Sequence, residues 1–310
     1  MRARMAAGGS AHCFCCLDQE GAVELVKCGC KCTTMCACAP CLWKITSEPK
    51  SVSFHNVRCT VCLEFFSDAA VLAGCKHAQN SVAALPRTLE ARSDVERDVL
   101  QTMMQISTAE PAFEYARQLW GQYSRALGAR HGTTSHFKYL MGKVLYTGED
   151  FEGAIVVFDQ VLDIQEAMVR ERDLEKATQE DKNWLLRVYR TKSAIAASLH
   201  NIYKAHGKVS CDAEAVFREA LAGLETLVCD VHPDYVRTAG GLASFLAART
   251  ARECAGVDRP RTRQQHALLA RALAAAGHAL EVYFRVYGAN SQITRILLEE
   301  HAMLREMEGA

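Results

Sequence analysis

Apolar positions recur at intervals of three and four residues from about residue 88 to the end of the chain. Val95, Val99, Met103 and Ile106 mark the first such stretch. This spacing places apolar side chains on one face of a helix and predicts a succession of amphipathic α-helices. The same region is rich in Ala, Leu, Glu, Arg and Gln. These residues are strong helix formers, and their frequency supports the same interpretation.

Before residue 80 the pattern is different. Little periodicity is visible there, and Cys, Thr, Ser and Lys are frequent. We therefore predict a mainly α-helical chain in two parts, with a small cysteine-rich module followed by a helical repeat array. The predicted boundaries are a disordered N-terminus over residues 1–10, the module over 11–80 and the helical domain over 88–310.

Residues 140–162 carry the small and large positions of a helical hairpin. Gly142 and Ala154 are small where two helices would touch, and Phe158 and Val161 supply an apolar seam behind them. The segment resembles a tetratricopeptide repeat (TPR). This resemblance implies stacked helix pairs whose concave face binds a peptide or protein partner.

The pattern of the second helix recurs further along the chain. Two later copies follow at equal intervals of 59 residues, and an earlier copy precedes the first. That interval is longer than the usual repeat of about 34 residues, so we expect extended helices or loops. The members are Ala112/Ala116/Leu119, Ala154/Phe158/Val161, Ala213/Phe217/Ala220 and Ala272/Ala276/Ala279.

Two turn signals follow the later copies at nearly the same offset. They are the segments 230–233 and 288–291. Pro233 suits the first turn of a new helix, because the N–H that it lacks would be unpaired there. These connections resemble the Gly-x-x-His-Pro connections of kinesin-light-chain repeats.

Twelve of the fifteen cysteines lie between Cys13 and Cys75. Residues 1–10 contain no continuous apolar core, so they do not resemble a secretory signal peptide. We therefore expect a cytoplasmic or nuclear protein with reduced thiols. Clustered thiols in such a compartment favour zinc over disulfides.

The candidate zinc ligands fall into three groups. The third group supplies four ligands by itself, and Gly74 is predicted to provide a flexible turn before its second half. The first group is Cys13 and Cys16 with Cys28 and Cys32, the second is Cys36, Cys38 and Cys41, and the third is Cys59, Cys62, Cys75 and His77.

The second group resembles the post-SET motif of the SET and MYND domain-containing (SMYD) lysine methyltransferases, in which a TPR-like helical domain follows. Leu297–Glu300 and the turn at residues 230–233 are also similar to that domain. A rival alignment matches the MYND finger of the same family. It uses Cys13, Cys16, Cys28, Cys32, Cys36, Cys41, His55 and Cys59. Both alignments imply zinc, and the sequence leaves both open.

The third group resembles the opening of a RING finger. Asn80 and Ala83 occupy the positions where the next ligands should fall, and neither can bind zinc through its side chain. A single zinc site is therefore the simpler interpretation. A degenerate RING-type ubiquitin ligase is the weakest alternative.

The sequence favours a noncatalytic adaptor. The Asn-His, Gly-x-Gly and Tyr motifs from which SET enzymes build their active site are not found, nor is a phosphate-binding loop or a Gly-x-Ser-x-Gly elbow. The main alternative is a truncated or divergent protein lysine methyltransferase. Equal numbers of basic and acidic residues, 36 each, without a basic stripe, argue against nucleic-acid binding. We see no apolar run of about twenty residues, so we expect no membrane partner.

Overall fold

The computed structural model describes residues 25–27, 36–38, 68–106, 109–172, 178–207, 212–254 and 261–309. This part of the chain contains ten α-helices and two short strands, β1 (Leu25–Lys27) and β2 (Cys36–Cys38). The helices are α1 (Asp68–Val82), α2 (Glu90–Ile106), α3 (Ala109–Leu127), α4 (Gly132–Thr147), α5 (Phe151–Arg170), α6 (Gln179–His206), α7 (Ala213–Leu227), α8 (Pro233–Cys254), α9 (Arg263–Tyr287) and α10 (Gln292–Gly309).

The chain divides into two compact units, Met1–Phe137 and Lys138–Ala310. In the first unit β1 and β2 pair antiparallel, with Leu25 opposite Cys38. Helix α1 lies beside β1 and packs on α2, and α2 packs on α3. Ala112, Ala116 and Leu119 are buried in this unit, as the sequence pattern predicted.

The helical part of the chain begins at least as early as Asp68, twenty residues before the predicted start. Residues 74–77 lie inside α1, so the prediction of a turn at Gly74 is wrong. Cys75, Ala78 and Val82 are buried at helical spacing. The periodicity was missed because Cys75 was assigned to a metal site, whereas a buried Cys also serves as a small apolar residue.

The second unit is built from helix hairpins. Consecutive helices from α5 to α10 pack against each other, α6 also contacts α8, and α8 contacts α10. The first helices of successive hairpins are therefore neighbours, which is the arrangement of a stacked helical repeat. The unit is a TPR-like array, and the predicted mainly α-helical repeat fold is confirmed for this part of the chain.

The predicted small and large positions pack as expected. A Cβ atom on Gly142 would lie 2.5 Å from the Phe158 ring, so only glycine lets α4 approach α5 this closely. The residues of all four predicted patterns are at most 2% exposed. Pro233 begins α8, which confirms its predicted place.

One helix among the described residues, α9, is long and apolar enough to cross a membrane by length and composition alone. No such helix was predicted from the sequence. The helix is alanine-rich, and half of its most apolar window is buried within the protein. Leu268, Ala272, Ala276 and Ala279 are among its buried residues. Its apolar face therefore forms part of the packed array.

Candidate functional site: a polar groove along the first helices

The second unit contains a cleft of about 540 Å³, which we call the groove. Most of its lining comes from the first helices of the hairpins, α4, α6, α8 and α10. The lining residues include Tyr139, Lys143, Tyr146, Phe158, Arg190, Ser193, Ala197, His200, Asn201, Lys204, Phe217, Asp234, Arg237, Thr238, Gly240, Gly241, Ser244, Tyr283 and Glu300.

Aromatic rings from the second helices also line the groove. They are Phe158 on α5, Phe217 on α7 and Tyr283 on α9. Glycines on α8 make room for two of them. A Cβ atom on Gly241 would lie 2.7 Å from the Phe217 ring, and one on Gly240 would lie 2.5 Å from the Tyr283 hydroxyl. All three rings are buried, so they pack beneath the polar side chains of the groove.

Side-chain hydrogen bonds connect successive first helices along the groove. The Asn201 amide donates to the Tyr146 hydroxyl at 2.9 Å, which joins α6 to α4. The Thr238 hydroxyl donates to that of Ser193 at 2.8 Å, which joins α8 to α6. The Ser244 hydroxyl donates to the Glu300 carboxylate at 2.8 Å, which joins α8 to α10. Polar groups thus fix the spacing of the helices that face the groove.

Arginines surround a buried carboxylate at the start of α8. Asp234 is 5% exposed. Its Oδ2 accepts from Arg190 Nε at 2.9 Å and Nη2 at 2.5 Å, and its Oδ1 accepts from Arg237 Nη1 at 3.2 Å. The pair formed by Arg190 and Asp234 is partly buried and couples α6 to α8. The side chain of Arg237 is 66% exposed and stays accessible from solvent.

Lys143 lies in the same environment on α4. Its side chain is half-buried and makes no ion pair or hydrogen bond with any residue that the structure describes. Burial lowers the pKa of Lys143, and the positive charges of Arg237 and Arg190 lower it further. The Asp234 carboxylate only partly offsets these effects. This part of the groove carries three cations around one carboxylate.

His200 on α6 lines the groove and is 8% exposed. Its ring packs edge-on against Phe245, with ring centroids 5.8 Å apart. Burial lowers the pKa of His200 to about 4, with a smaller contribution from Lys204. The ring is therefore neutral at neutral pH. Its Nε2 atom is buried and has no hydrogen-bond partner among the described residues.

Glu300 and Lys204 lie towards the same end of the groove as His200. Burial raises the pKa of Glu300, while the hydrogen bond from Ser244 and the charge of Lys204 lower it. Lys204 is exposed and is not within ion-pair distance of any residue in the described ranges. The groove lining as a whole carries four cations and two carboxylates.

Four of the eleven predicted metal ligands fall within the described residues. The backbones of Cys36 and Cys38 lie on β2, and Cys75 and His77 lie on α1. Burial raises the pKa of the Cys75 thiol to about 12. Positions two apart on a helix face different sides, so Cys75 and His77 do not face one ion together while α1 is helical. The others, which lie outside the described residues, are Cys13, Cys16, Cys28, Cys32, Cys41, Cys59 and Cys62.

No three His, Cys, Asp or Glu side chains come together as a metal site in the described part of the chain. His55 of the MYND-like alignment also lies outside it. The zinc prediction therefore stays a prediction, as does the choice between its two alignments.

A concave partner-binding face was predicted from the sequence, but none of its polar residues was. A signal for them exists. Lys143, Arg190 and Arg237 follow one another at equal intervals of 47 residues, and so do Tyr146, Ser193 and Gly240. All six line the groove. This 47-residue repeat in the first helices was missed because the prediction rested on the apolar residues of the second helices, which recur every 59 residues.

No family model matches the chain, and no curated protein matches it. A solved structure of a TPR-like repeat protein, a kinesin light chain homologue of Podosopora anserina, is similar with a TM-score of 0.41 and 15% identity. The match covers 73% of this chain and 98% of that chain. A single-substitution variant of the same protein gives the same values.

Proposed function

We propose that this protein is a noncatalytic interaction adaptor whose groove holds an extended peptide segment of a partner protein. The observation that carries the proposal is the lining of the groove. First helices of successive hairpins present polar groups, among them Lys143 and His200, which are not paired within the described protein. Surfaces of this kind in stacked helical arrays bind peptides.

The architecture of the second unit supports the same function. Its helices bury their apolar faces against one another, which leaves the polar side chains of the first helices to line the groove. The hydrogen bonds between α4, α6, α8 and α10 hold the lining in place before a partner arrives. Such preorganisation lowers the entropy that binding costs.

Selection of displayed random peptides on the immobilised full chain tests the proposal. We expect peptides that bind the native protein and lose binding to Ala197→Trp, which fills the groove. Ala267→Trp is the matched control, because Ala267 is exposed on α9 and does not line the groove. Peptides that bind all three proteins equally, or no peptides at all, would overturn the proposal.

We also propose that residues 11–80 bind zinc, in a cytoplasmic or nuclear protein. The donor chemistry supports this, because Cys and His at short spacings are the usual zinc ligands. The paired β1–β2 strands, which carry Cys36 and Cys38, lie beside α1, which carries Cys75. Zinc would fix segments that have little apolar surface of their own. The SMYD-like alignments of this segment belong to the same proposal.

Elemental analysis of protein purified under reducing conditions tests the zinc proposal. Eleven candidate ligands at four per ion correspond to about two to three zinc ions per chain. Metal-free protein that is equally folded, or disulfides among these thiols, would contradict it. Substitution of Cys229, an exposed free cysteine on the other unit, by Ser is the control and should leave the zinc content unchanged.

A further inference from the structure

The charges of the groove define the kind of peptide that fits it. Lys143, Arg190 and Arg237 surround the single carboxylate of Asp234. Arg190 donates through Nε and Nη2 to that carboxylate. The charges of Lys143 and Arg237 are therefore only partly compensated within the protein. A half-buried ammonium is costly to leave unpaired, so the site favours an incoming anion.

The lining also contains an unpartnered buried group. His200 is more than nine-tenths buried, lines the groove and leaves Nε2 without a hydrogen bond among the described residues. Each nitrogen of a neutral imidazole either donates or accepts a hydrogen bond. A buried nitrogen that makes no hydrogen bond costs free energy. A peptide backbone offers both N–H and C=O groups at every residue, so it can satisfy this atom in either tautomer.

The groove has the length of a short peptide. Arg190 and Lys204 both line it on α6. Their separation by fourteen positions corresponds to about 21 Å at the rise of an α-helix. An extended chain covers this distance with about six residues. The cations stand near both ends of this stretch, and the aromatic rings of Phe158 and Phe217 also line the groove.

We infer that the groove selects an extended acidic segment of a partner protein, with one carboxylate beside Lys143 and Arg237 and the peptide backbone at His200. The inference rests on the proposed function and names the chemical class of its ligand. Charge-assisted hydrogen bonds to carboxylates give the specificity.

Three labelled twelve-residue peptide pools test this inference by fluorescence polarisation with the full chain. The pools share one apolar background and carry Asp and Glu, the isosteric Asn and Gln, or Lys and Arg at the same positions. We expect the acidic pool to bind about tenfold or more tightly than the amide pool, since charged hydrogen bonds are stronger than neutral ones. Binding should weaken as salt is added.

Substitutions locate the effect. Lys143→Gln and Arg237→Gln should each reduce the preference for the acidic pool by about fivefold or more, while binding of the amide pool changes little. Matched controls are Lys182→Gln on α6 and Arg295→Gln on α10, which are exposed and do not line the groove. Arg237 is mostly solvent-exposed, so its variant should fold even if Lys143→Gln does not.

The outcomes separate this inference from the proposed function. Equal binding of the acidic and amide pools, lost in Ala197→Trp, would overturn the acidic ligand and leave the peptide-binding groove intact. No binding by any pool would overturn both. Displacement of the acidic pool by about millimolar phosphate at constant ionic strength would identify a free anion as the ligand and overturn the inference. Equal or tighter binding of a labelled single-stranded oligothymidine would overturn it as well.

Discussion

His200 combines a lowered pKa with a position in the wall of the groove. The unfolded residue titrates near 6.5 and the folded one near 4, because burial disfavours the charged ring. Between these pH values the unfolded chain binds more protons than the folded chain. The stabilisation from the neutral ring is therefore complete above pH 6.5 and is lost as the pH falls towards 4.

We predict that this residue makes folding sensitive to mild acid. The free energy of unfolding should fall by on the order of 3 kcal/mol through His200 alone between pH 6.5 and 4. Urea titrations at several pH values measure this dependence. His200→Gln should have a flatter profile over that range, whereas His266→Gln, an exposed histidine on α9, should follow the native protein. Parallel profiles for the native protein and His200→Gln would contradict the assignment.

At the scale of single residues, the buried apolar positions could be predicted from the sequence and the charged residues of the groove could not. The Ala/Phe/Val patterns were predictable because burial follows helical spacing, and Phe158 and Phe217 are buried as expected. The groove cations were not, because a charged residue on an amphipathic helix is usually solvated. Only the stacking of α4, α6 and α8 brings Lys143 close enough to Arg190 and Arg237 for their charges to interact.

At the scale of an element, close contact within a hairpin depends on glycine. The α4–α5 pair relies on Gly142, where a methyl group would meet the Phe158 ring at 2.5 Å. Gly277 on α9 differs, because a Cβ atom added there would contact no other part of the protein within 4 Å. Replacing these two glycines by alanine should therefore change the stability of the protein in opposite directions.

We predict that Gly142→Ala destabilises the protein by about 1–2 kcal/mol, because overpacking outweighs the gain in helix propensity. Gly277→Ala should stabilise it by up to about 1 kcal/mol, because the propensity gain is unopposed. Chemical denaturation of both variants measures the difference. Equal stabilisation by both would show that Phe158 moves aside at no cost.

Helices could be predicted where the sequence shows both the spacing of their apolar residues and a turn signal at their ends. Helix α8 begins at Pro233, and the α9–α10 connection lies at residues 288–291, as the turn signals indicated. Helix α1 was missed because Cys75 and His77 resembled a metal half-site. The same side chains suit a helix face and a zinc ligand set, and local sequence cannot distinguish the two.

At the scale of the whole molecule, we expect the two units to be stabilised differently, one by an apolar core and the other partly by bound metal. The second unit has a continuous apolar core along its helices. The first unit includes the segment over residues 11–80, whose Cys content suggests that metal contributes to its folding. The units should therefore respond differently to a chelator.

We predict that removing zinc accelerates hydrogen exchange in α1 and α2 and leaves α6 to α9 unchanged. Helix α1 lies beside β1 in the first unit, so loss of metal from that unit removes its support. Hydrogen exchange detected by mass spectrometry, with and without a zinc chelator, measures the effect. Cys62→Ser should reproduce it and Cys229→Ser should not. Uniform exchange across both units, or no change in α1, would contradict the prediction.

The large-scale architecture was predictable in outline only. A mainly α-helical repeat array follows from the 59-residue recurrence of Ala154, Ala213 and Ala272, because repeated patterns imply repeated packing. The division at residues 137 and 138, within α4, was not predicted. It depends on which helices pack together, and no single stretch of sequence encodes that.

The hydrogen bonds between first helices set how readily the second unit deforms. Stacked repeats held by apolar contacts alone can shift relative to one another, because such contacts have no preferred direction. The bonds joining Tyr146 to Asn201, Ser193 to Thr238 and Ser244 to Glu300 are directional and lie along the groove. Changing the width of the groove would break them, so a ligand of the proposed kind would have to fit a frame of fixed width.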